Sequence, residues 1–264
     1  MFTKIAITMR ENLIFDIGMH VGEDTRFYLK NGFDVIAIEA NPFLVEKSKE
    51  RFKKEIQSGQ LRILNIGISN EEKIIPFYIN HRLTEWSSFD KSIGSRNGTS
   101  FETKDIQCTT IEKVFEQYGI PFYMKVDIEG NDHYCLTGIP DNGGGPKYVS
   151  CESCSLEWLK ILSSKGYTKF KMISQSDSFR PISLNKEKNK LFPKYQVIKN
   201  GLKLRVQKFI NFKHEYGSSG PFAENTKGEW MTEAEVTNLF NAFYQNNGDA
   251  PLNHVSWFDF HAKY

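Results

Sequence analysis

The sequence predicts an α/β fold with a central, mostly parallel sheet, helices on both faces and an antiparallel last strand. Apolar runs rich in β-branched residues alternate with amphipathic stretches along the first two thirds of the chain, and this alternation is typical of βαβ units. The first run, Leu13–Ile17, breaks directly into a loop with glycines at positions 18 and 22. A glycine turn between a strand and a helix lets the backbone approach a ligand closely.

The same periodicity predicts the individual elements. Gly32 suits the end of the first helix, while Asn41 can cap the second helix and Pro42 can begin it. Residues 84–98 are polar, and we expect them to form a surface loop. The predicted strands are Leu13–Ile17, Asp34–Glu39, Leu61–Ile68, Ile74–Ile79, Phe122–Ile128, Tyr148–Cys151 and Tyr167–Ile173. The predicted helices are Glu23–Asn31, Pro42–Gln57, Thr110–Tyr118, Leu156–Lys165 and Glu229–Tyr244.

The pattern changes after residue 175. Residues 176–253 hold basic, aromatic and Gly/Ser-rich segments that do not look like another βαβ unit. The closing run, Val255–Ala262, alternates as a strand with one buried face does. We therefore expect one domain over residues 1–264, with a core at 11–175, a substrate-side insertion at 176–253 and a closing strand at 255–263.

The glycine loop carries acids on both sides. Asp16 precedes Gly18 and Glu23 follows Gly22, whereas a dinucleotide fingerprint needs Gly-x-Gly-x-x-Gly. Carboxylates here would repel a pyrophosphate and would suit a ligand with a positive amine, such as the methionine portion of S-adenosylmethionine. Glu39 ends the second strand about twenty residues on and suits a ribose diol. The alternative is a plain glycine turn, with Glu39 as a solvated acid.

A second group of charges ends the strand Phe122–Ile128. If that strand keeps its alternation, Lys125, Asp127 and Glu129 share one side of it and face the ligand cleft. His133 follows closely enough to act as a base. The alternatives are a structural ion pair between Lys125 and a carboxylate, and a histidine at the surface.

The sequence also raises the question of metals. Asp127, Glu129 and Glu152 could together bind a divalent cation through oxygen ligands, but we favour a site without metal. Cys151 and Cys154 form a Cys-x-x-Cys pair that could be redox-active or half of a zinc site. Because no second pair is evident, packing of free thiols is the favoured interpretation.

Composition limits the partners. The formal net charge is +2 and 25% of the residues are charged, so no nucleic acid partner is indicated. No apolar run has the length of a membrane span, and residues 1–10 lack the apolar centre of a signal peptide. We expect a cytoplasmic protein that binds a small molecule. The oligomeric state is left open, a homodimer included.

Three ordered motifs together resemble the FkbM-type methyltransferases. The motifs are Asp-Ile-Gly-Met-His-Val-Gly-Glu at 16–23, Glu-Ala-Asn-Pro at 39–42 and Lys-Val-Asp-Ile-Glu-Gly at 125–130, and the resemblance covers about residues 13–173. It implies a class I, Rossmann-like fold and O-methylation with S-adenosylmethionine. The chain departs from the family at Met19-His20, where Ala-Asn is frequent, at Ala40, where Pro is frequent, and at Asn131-Asp132, where Ala-Glu is common.

The resemblance also implies roles for particular residues. The methionine end of the cofactor would be lined by Asp16, Gly18, Gly22 and Thr25, with His20 in the same loop; Glu39 would bind the ribose and Ser69 would lie near the adenine. Asp127 would lie beside the cofactor methyl group and the acceptor, together with Glu129. The candidates for catalysis are Asp127, Glu129 and His133.

Known members of the family act mainly on sugar or polyketide hydroxyls. Aromatic and polar loops suit a carbohydrate, because sugar faces stack on rings and sugar hydroxyls need polar partners. The candidate substrate-binding residues are Trp86, Ser87, Ser88, His214, Tyr216 and Ser219. We therefore expect O-methylation of a carbohydrate, with a nucleotide-activated sugar for surface polysaccharide biosynthesis as one form. An NAD(P)-dependent sugar-nucleotide oxidoreductase and a noncatalytic cofactor-binding module are the alternatives.

Overall fold

The computed structural model describes residues 8–152, 155–175, 179–182, 214–215, 217–247 and 258–264. The chain divides into two compact units, Met1–Lys147 and Tyr148–Tyr264.

The first unit contains two sheets and the helices around them. Its strands are β1 (Met9–Ile17), β2 (Asp34–Ile38), β3 (Leu61–Leu64), β4 (Gly67–Ile68), β5 (Lys73–Asn80), β6 (Phe101–Thr109) and β7 (Ile120–Val126). Its helices are α1 (Glu23–Lys30), α2 (Pro42–Arg51), α3 (Lys53–Gln57), α4 (Lys91–Gly94), α5 (Ile111–Tyr118) and α6 (Asp132–Thr137). Short 3₁₀ turns cover Thr84–Trp86 and Arg96–Gly98.

The larger sheet of this unit is parallel, in the order β3-β2-β1-β7. The last five residues of β1, Leu13–Ile17, are all buried, because helices pack on both faces of a parallel sheet. Helix α5 shows how local sequence sets the bounds: Thr110 caps its first turn by accepting from the Lys113 N–H group.

The connection from β1 to α1 depends on left-handed backbone. Gly18, His20 and Gly22 have φ angles of 84°, 52° and 85°, and Gly22 is the N-cap of α1. The φ of Gly32 at the other end of α1 is 84°, which confirms its predicted place at the helix end. Glu23 and Asp24 in the first helical turn are favoured by the positive end of the helix dipole.

The smaller sheet has the order β4-β6-β5 and corrects the prediction in two places. The predicted strand Leu61–Ile68 is wrong beyond Leu64, because Ile68 pairs with Thr109 of β6 in this second sheet. Strand β6 was not predicted. Its residues are largely polar and only its later part is buried, so it lacks the apolar signal of a core strand.

Three further predictions need correction. The predicted strand Phe122–Ile128 ends at Val126, and Glu129 has a φ of 48°, so the side-chain alternation does not extend to Glu129. The single helix predicted from Pro42 to Gln57 is two helices that meet at Phe52, a buried residue. Residues 84–98 are not wholly a surface loop, because they include helix α4 and the buried residues Ser87 and Ser88.

The second unit contains β8 (Tyr148–Glu152), α7 (Leu156–Ser164), β9 (Lys169–Ser174), α8 (Glu233–Asn247) and β10 (Phe258–Lys263). Strand β10 lies between β8 and β9 and is antiparallel to both, which confirms the antiparallel last strand. The helix predicted from Glu229 begins at Glu233 instead. Cys151 is buried in β8. Because Cys154 lies outside the described residues, the packing interpretation of this cysteine pair stays a prediction.

The predicted α/β class with a mainly parallel sheet is confirmed. The division into a core at 11–175, an insertion at 176–253 and a closing strand at 255–263 stays a prediction, since much of residues 176–257 lies outside the described residues. None of the described helices has the length and apolar character that would let it cross a bilayer.

Replacement of Gly18 tests how closely the strand ends approach each other. A Cβ at Gly18 would stand 1.7 Å from the Asp127 carbonyl oxygen, whereas one at Gly32 meets nothing within 4 Å. Since both glycines have a φ of 84°, Gly32→Ala carries only the left-handed backbone cost, about 1–2 kcal/mol of unfolding free energy. Gly18→Ala should cost about 2 kcal/mol more, because the strand ends must also move apart. Urea denaturation of both variants measures the difference, and equal losses would contradict this account.

Candidate active site

Three strands of the larger sheet end at the same level. Ile17 of β1 pairs with Ile38 of β2 and with Val126 of β7, so the next residues, Gly18, Glu39 and Asp127, lie side by side at the carboxyl edge. Gly18 N donates to the Ile38 carbonyl oxygen over 2.9 Å, and Asp127 N donates to the Ile17 carbonyl oxygen over 3.0 Å. This edge is where open α/β sheets bind their ligands.

The ammonium group of Lys125 lies at the centre of the acidic residues. Its Nζ is 3.6 Å from Asp16 Oδ1, 3.8 Å from Asp24 Oδ2 and 3.5 Å from Asp127 Oδ2. It also donates to the Gly18 carbonyl oxygen over 3.0 Å. Burial opposes the charge of Lys125, but attraction to these carboxylates raises its pKa well above the ordinary value. The structural ion pair that the sequence left open therefore exists, and it stands at the strand ends.

Among the described residues, one ammonium group lies within 4 Å of three carboxylates, so these four groups together carry excess negative charge. Asp16 and Asp24 are buried, whereas the side chain of Asp127 is 25% exposed. Asp127 is therefore the member of the cluster that presents its charge outward. A cationic ligand group is suited to such a surface, while a pyrophosphate is not.

Asp16 is held from α1. The Thr25 hydroxyl donates to Asp16 Oδ2 over 2.5 Å, and both residues are fully buried. Burial raises the pKa of Asp16 to about 6, although Lys125 acts in the opposite direction. Asp16 Oδ1 has no hydrogen-bond partner among the described residues. Among these residues, its nearest cation is the Lys125 ammonium group at 3.6 Å, which compensates part of the cost of its burial.

Glu39 receives two backbone N–H groups. His20 N donates to Glu39 Oε2 over 2.9 Å, and Asn41 N donates to Oε1 over 2.7 Å. Burial raises the pKa of Glu39 to about 7, against the effect of these two hydrogen bonds. Each carboxylate oxygen keeps a second lone pair, so the group can still accept a hydrogen bond from a ligand hydroxyl.

His20 links the glycine loop to the 3₁₀ turn Thr84–Trp86. Its Nδ1 lies 3.1 Å from Glu23 Oε1, and its Nε2 lies 2.8 Å from Thr84 Oγ1. Burial opposes protonation of His20, but the hydrogen bond and charge of Glu23 raise its pKa above the ordinary value. The sequence did not indicate Thr84 as a partner of this loop, because the two segments are distant along the chain.

The segment after β7 is shaped by Asp132, which the sequence did not single out. Its carboxylate accepts from Gly130 N over 3.2 Å and from Ile128 N over 3.4 Å. Burial raises the pKa of Asp132 to about 6. These two bonds support the left-handed backbone of Glu129. The available signal was an acid at the start of a helix, two residues after a glycine.

Glu129 is contacted by the polar stretch before β6. Arg96 Nη2 donates to Glu129 Oε1 over 3.0 Å, and the Ser88 hydroxyl donates to the Glu129 carbonyl oxygen over 2.6 Å. The guanidinium carbon of Arg96 lies 4.4 Å from the centre of the Trp86 ring. Sequence reasoning missed Arg96, because a lone arginine in a polar stretch is normally solvated.

Other predicted ligand residues have internal partners. The Ser69 hydroxyl donates to the Glu71 carbonyl oxygen over 2.6 Å, and the Ser87 hydroxyl accepts from Asn80 N over 3.1 Å. The ring centres of His133 and Tyr134 are 3.8 Å apart. The roles of Ser69, Ser87 and His133 in binding or catalysis stay predictions.

Three predicted substrate residues belong to the second unit. His214 Nδ1 lies 3.1 Å from the Ser218 hydroxyl, Ser219 is buried, and Tyr216 lies outside the described residues. Their contact with a substrate stays a prediction. Within the part of the chain that the structure describes, no group of three or more His, Cys, Asp or Glu residues is arranged to hold a metal ion.

The family described as "Methyltransferase FkbM domain" matches residues 16–168 of the chain. No curated protein matches the chain.

Several solved structures resemble it. An FkbM methyltransferase from Methylobacillus flagellatus KT is 18% identical with a TM-score of 0.42, over 60% of this chain and 39% of that protein. A TehB-like SAM-dependent methyltransferase from Corynebacterium glutamicum is 11% identical with a TM-score of 0.37, over 67% of this chain and 76% of that one. A structure described as StiE O-MT is 12% identical with a TM-score of 0.39, over 98% of this chain and 68% of that one. The chain thus spans less than half of the first of these proteins.

Removal of the buried ammonium tests the charge cluster. Lys125→Met leaves three carboxylates without their shared cation and should lower the unfolding free energy by about 3–5 kcal/mol at pH 8. The loss should shrink toward pH 5, because the pKa of Asp16 is already raised to about 6 and protonation in the folded state relieves the repulsion. Urea denaturation at both pH values measures this.

The matched control is Lys113→Met, which breaks the exposed ion pair between Lys113 and Glu72. This change should have little effect at either pH, because exposed pairs contribute little. A pH-independent loss for Lys125→Met would contradict the electrostatic account.

Proposed function

The chain belongs to the FkbM methyltransferase family, and on that premise we propose that it transfers the methyl group of S-adenosylmethionine to a hydroxyl of a carbohydrate. The observation that supports this most is the Lys125 cluster, in which one ammonium is shared by three carboxylates beside a glycine loop. Its excess negative charge suits a cationic donor. The same charge disfavours a nicotinamide dinucleotide, whose pyrophosphate needs the helix start that Glu23 and Asp24 occupy here.

The residues present fit the donor. Asp127 offers the outward-facing charge of the cluster and would lie beside the methionine end. Gly18 and Gly22 would let the backbone of the loop approach the donor closely. The buried hydrogen bond from Thr25 to Asp16 joins α1 to β1 next to this loop. Glu39 would bind the ribose hydroxyls, and Ser69 would lie near the adenine. When bound, S-adenosylmethionine supplies a methyl group already activated for displacement.

The protein itself then has to orient the acceptor and remove its proton. Asp127, Glu129 and His133 are the candidates to accept the hydroxyl proton as attack proceeds. Burial raises the pKa of Glu129 to about 7, even though Arg96 lowers it. A base with a pKa near neutrality is effective at neutral pH, so Glu129 is the best supported of the three.

A carbohydrate acceptor is supported by the side chains around Glu129. The indole of Trp86 offers a stacking surface, and charged and hydroxyl groups lie beside it on Arg96 and Ser88. Sugars combine apolar faces with hydroxyls that need polar partners. A nucleotide-activated sugar, as used for surface polysaccharides, is the acceptor form that we propose to test first.

The proposed reaction needs no metal. Dialysis against a chelator should therefore leave methyl transfer unchanged. Loss of activity that added magnesium or calcium restores would show that the metal-free mechanism is wrong.

Cofactor binding is the first prediction of this proposal. Isothermal titration calorimetry should give tighter binding of S-adenosylmethionine than of NAD⁺. Glu39→Gln should weaken the binding of S-adenosylmethionine about tenfold, because a hydrogen bond to a charged group is lost. Since the pKa of Glu39 is about 7, ionisation favours the ribose contact, and wild-type affinity should rise from pH 6 to pH 8. The affinity of Glu39→Gln should stay flat. Glu46→Gln, at an exposed carboxylate, is the matched control, and tighter binding of NAD⁺ would reverse the assignment.

Methyl transfer to a sugar is the second outcome that the proposed function predicts. A panel of sugars and nucleotide sugars is screened for methyl uptake by mass spectrometry, and the best acceptor is then used with Asp127→Asn. We expect turnover to fall by about 10²-fold or more, and the affinity for S-adenosylmethionine to fall by less, about tenfold, because one of the three charges of the cluster is lost. An unaffected rate would remove Asp127 from the mechanism, and a panel without any methylated sugar would show that the acceptor class is wrong.

A further inference from the structure

The stretch between β5 and β6 contacts Glu129 at two points. It supplies Arg96 to the Glu129 carboxylate over 3.0 Å and Ser88 to the Glu129 carbonyl oxygen over 2.6 Å. None of the three family motifs includes this stretch. Its residues are therefore a separate contribution of the chain to the site.

The stretch has its own internal support. Asn80 is fully buried at the end of β5; its Nδ2 donates to the Gly94 carbonyl oxygen over 2.9 Å, and its Oδ1 accepts from Leu83 N over 3.0 Å. The Thr99 hydroxyl donates to the Arg96 carbonyl oxygen over 2.9 Å. These bonds fix the backbone on both sides of Trp86 and Arg96, so the two side chains are held in place rather than loosely exposed.

Arg96 has two partners for its guanidinium group among the described residues. One is the Glu129 carboxylate and the other is the Trp86 ring, 4.4 Å from the guanidinium carbon. Its Nε is buried without a hydrogen-bond partner in the described part of the chain. Stacking on an indole is favourable for a guanidinium. The Trp86 ring thus helps to hold Arg96 against Glu129.

The charged groups near Glu129 determine how strongly the contact with Arg96 affects its ionisation. Asp127 and Asp132 are acidic, and together with burial they raise the pKa of Glu129, whereas Arg96 lowers it. Lys125 is engaged with Asp127 and the buried acids, which leaves Arg96 as the cation that acts on Glu129 within the described residues. Arg96 is therefore the group in this environment that favours an ionised Glu129.

We propose that Arg96, held against the Trp86 ring, is a positioning residue that favours the ionised form of the Glu129 carboxylate and orients it toward the acceptor hydroxyl. The role of Glu129 as base rests on the proposed function. The pairing and its effect on ionisation are properties of the protein without substrate, so the two parts can be tested separately.

The first test titrates Glu129 directly. The ¹³C resonance of its side-chain carboxyl, assigned by its loss in Glu129→Gln, is followed with pH in the full-length protein. Arg96→Met should raise the titration midpoint by about one pH unit or more, because an adjacent guanidinium lowers a carboxyl pKa by that amount. Arg96→Lys should give a smaller rise, because the charge is kept and the fork geometry is lost.

The controls separate charge from folding. Arg82→Met removes an exposed arginine of the same stretch and should leave the midpoint unchanged. Trp86→Leu removes the stacking surface and keeps the charge, so it should raise the midpoint less than Arg96→Met. If Arg96→Met does not fold, the comparison of Arg96→Lys and Trp86→Leu with wild type decides the outcome. An unchanged midpoint in the folded Arg96 variants would overturn the proposal.

The second test uses the pH profile of kcat/KM with an acceptor found in the methyl-uptake screen. Activity should rise as Glu129 loses its proton, so Arg96→Met should move the acidic limb to higher pH by about one unit. A merely structural role would lower the rate equally at every pH. The affinity for S-adenosylmethionine should stay the same.

The two tests fail in different ways. If no acceptor is methylated, the proposed function fails, yet the carboxyl titration still decides whether Arg96 sets the charge of Glu129. If methylation occurs and Glu129→Gln leaves the rate unchanged, Glu129 is not the base and the proposal is overturned while the methyltransferase function stands.

Discussion

The buried ammonium of Lys125 is the interaction on which the candidate site depends. It comes from β7 and binds an acid of β1, an acid of α1 and Asp127 at the end of its own strand. Burying an ionised amine is costly unless close partners compensate. Because three carboxylates compensate for one ammonium, the cost is met and negative charge is left over. The group that ties strand and helix together therefore also sets the sign of charge at the sheet edge.

The backbone of the loop after β1 also brings polar groups to this edge of the sheet. The loop after β1 uses left-handed residues at positions 18, 20 and 22, so that its amides turn toward Glu39 and the sheet edge. Glycine adopts such a conformation at little cost, but it is unfavourable for His20. His20 keeps it because its N–H group bonds to the Glu39 carboxylate. This carboxylate therefore stabilises the backbone of the loop at the edge of the sheet.

In the proposed function, the acceptor side has a different origin from the donor side. The proposed donor side consists of strand ends whose residues are close in the sheet, while the proposed acceptor side depends on Trp86 and Arg96 from the stretch before β6. A common donor needs a common set of carboxylates. Acceptors vary, and connecting segments tolerate variation better than strands do. Family membership therefore says more about the donor than about the acceptor.

The sequence by itself determined the parallel α/β core and the acids at its carboxyl edge, because strand periodicity and chain order place Asp16, Glu39 and Asp127 at one edge of a parallel sheet. Only the tertiary structure decided where β7 ends, that β6 exists and that Arg96 reaches Glu129. Strand β6 is mostly polar, and the backbone of Glu129 is set by Asp132 rather than by its own strand. Contacts between residues far apart in the chain leave no periodic signal, so local sequence patterns could not predict them.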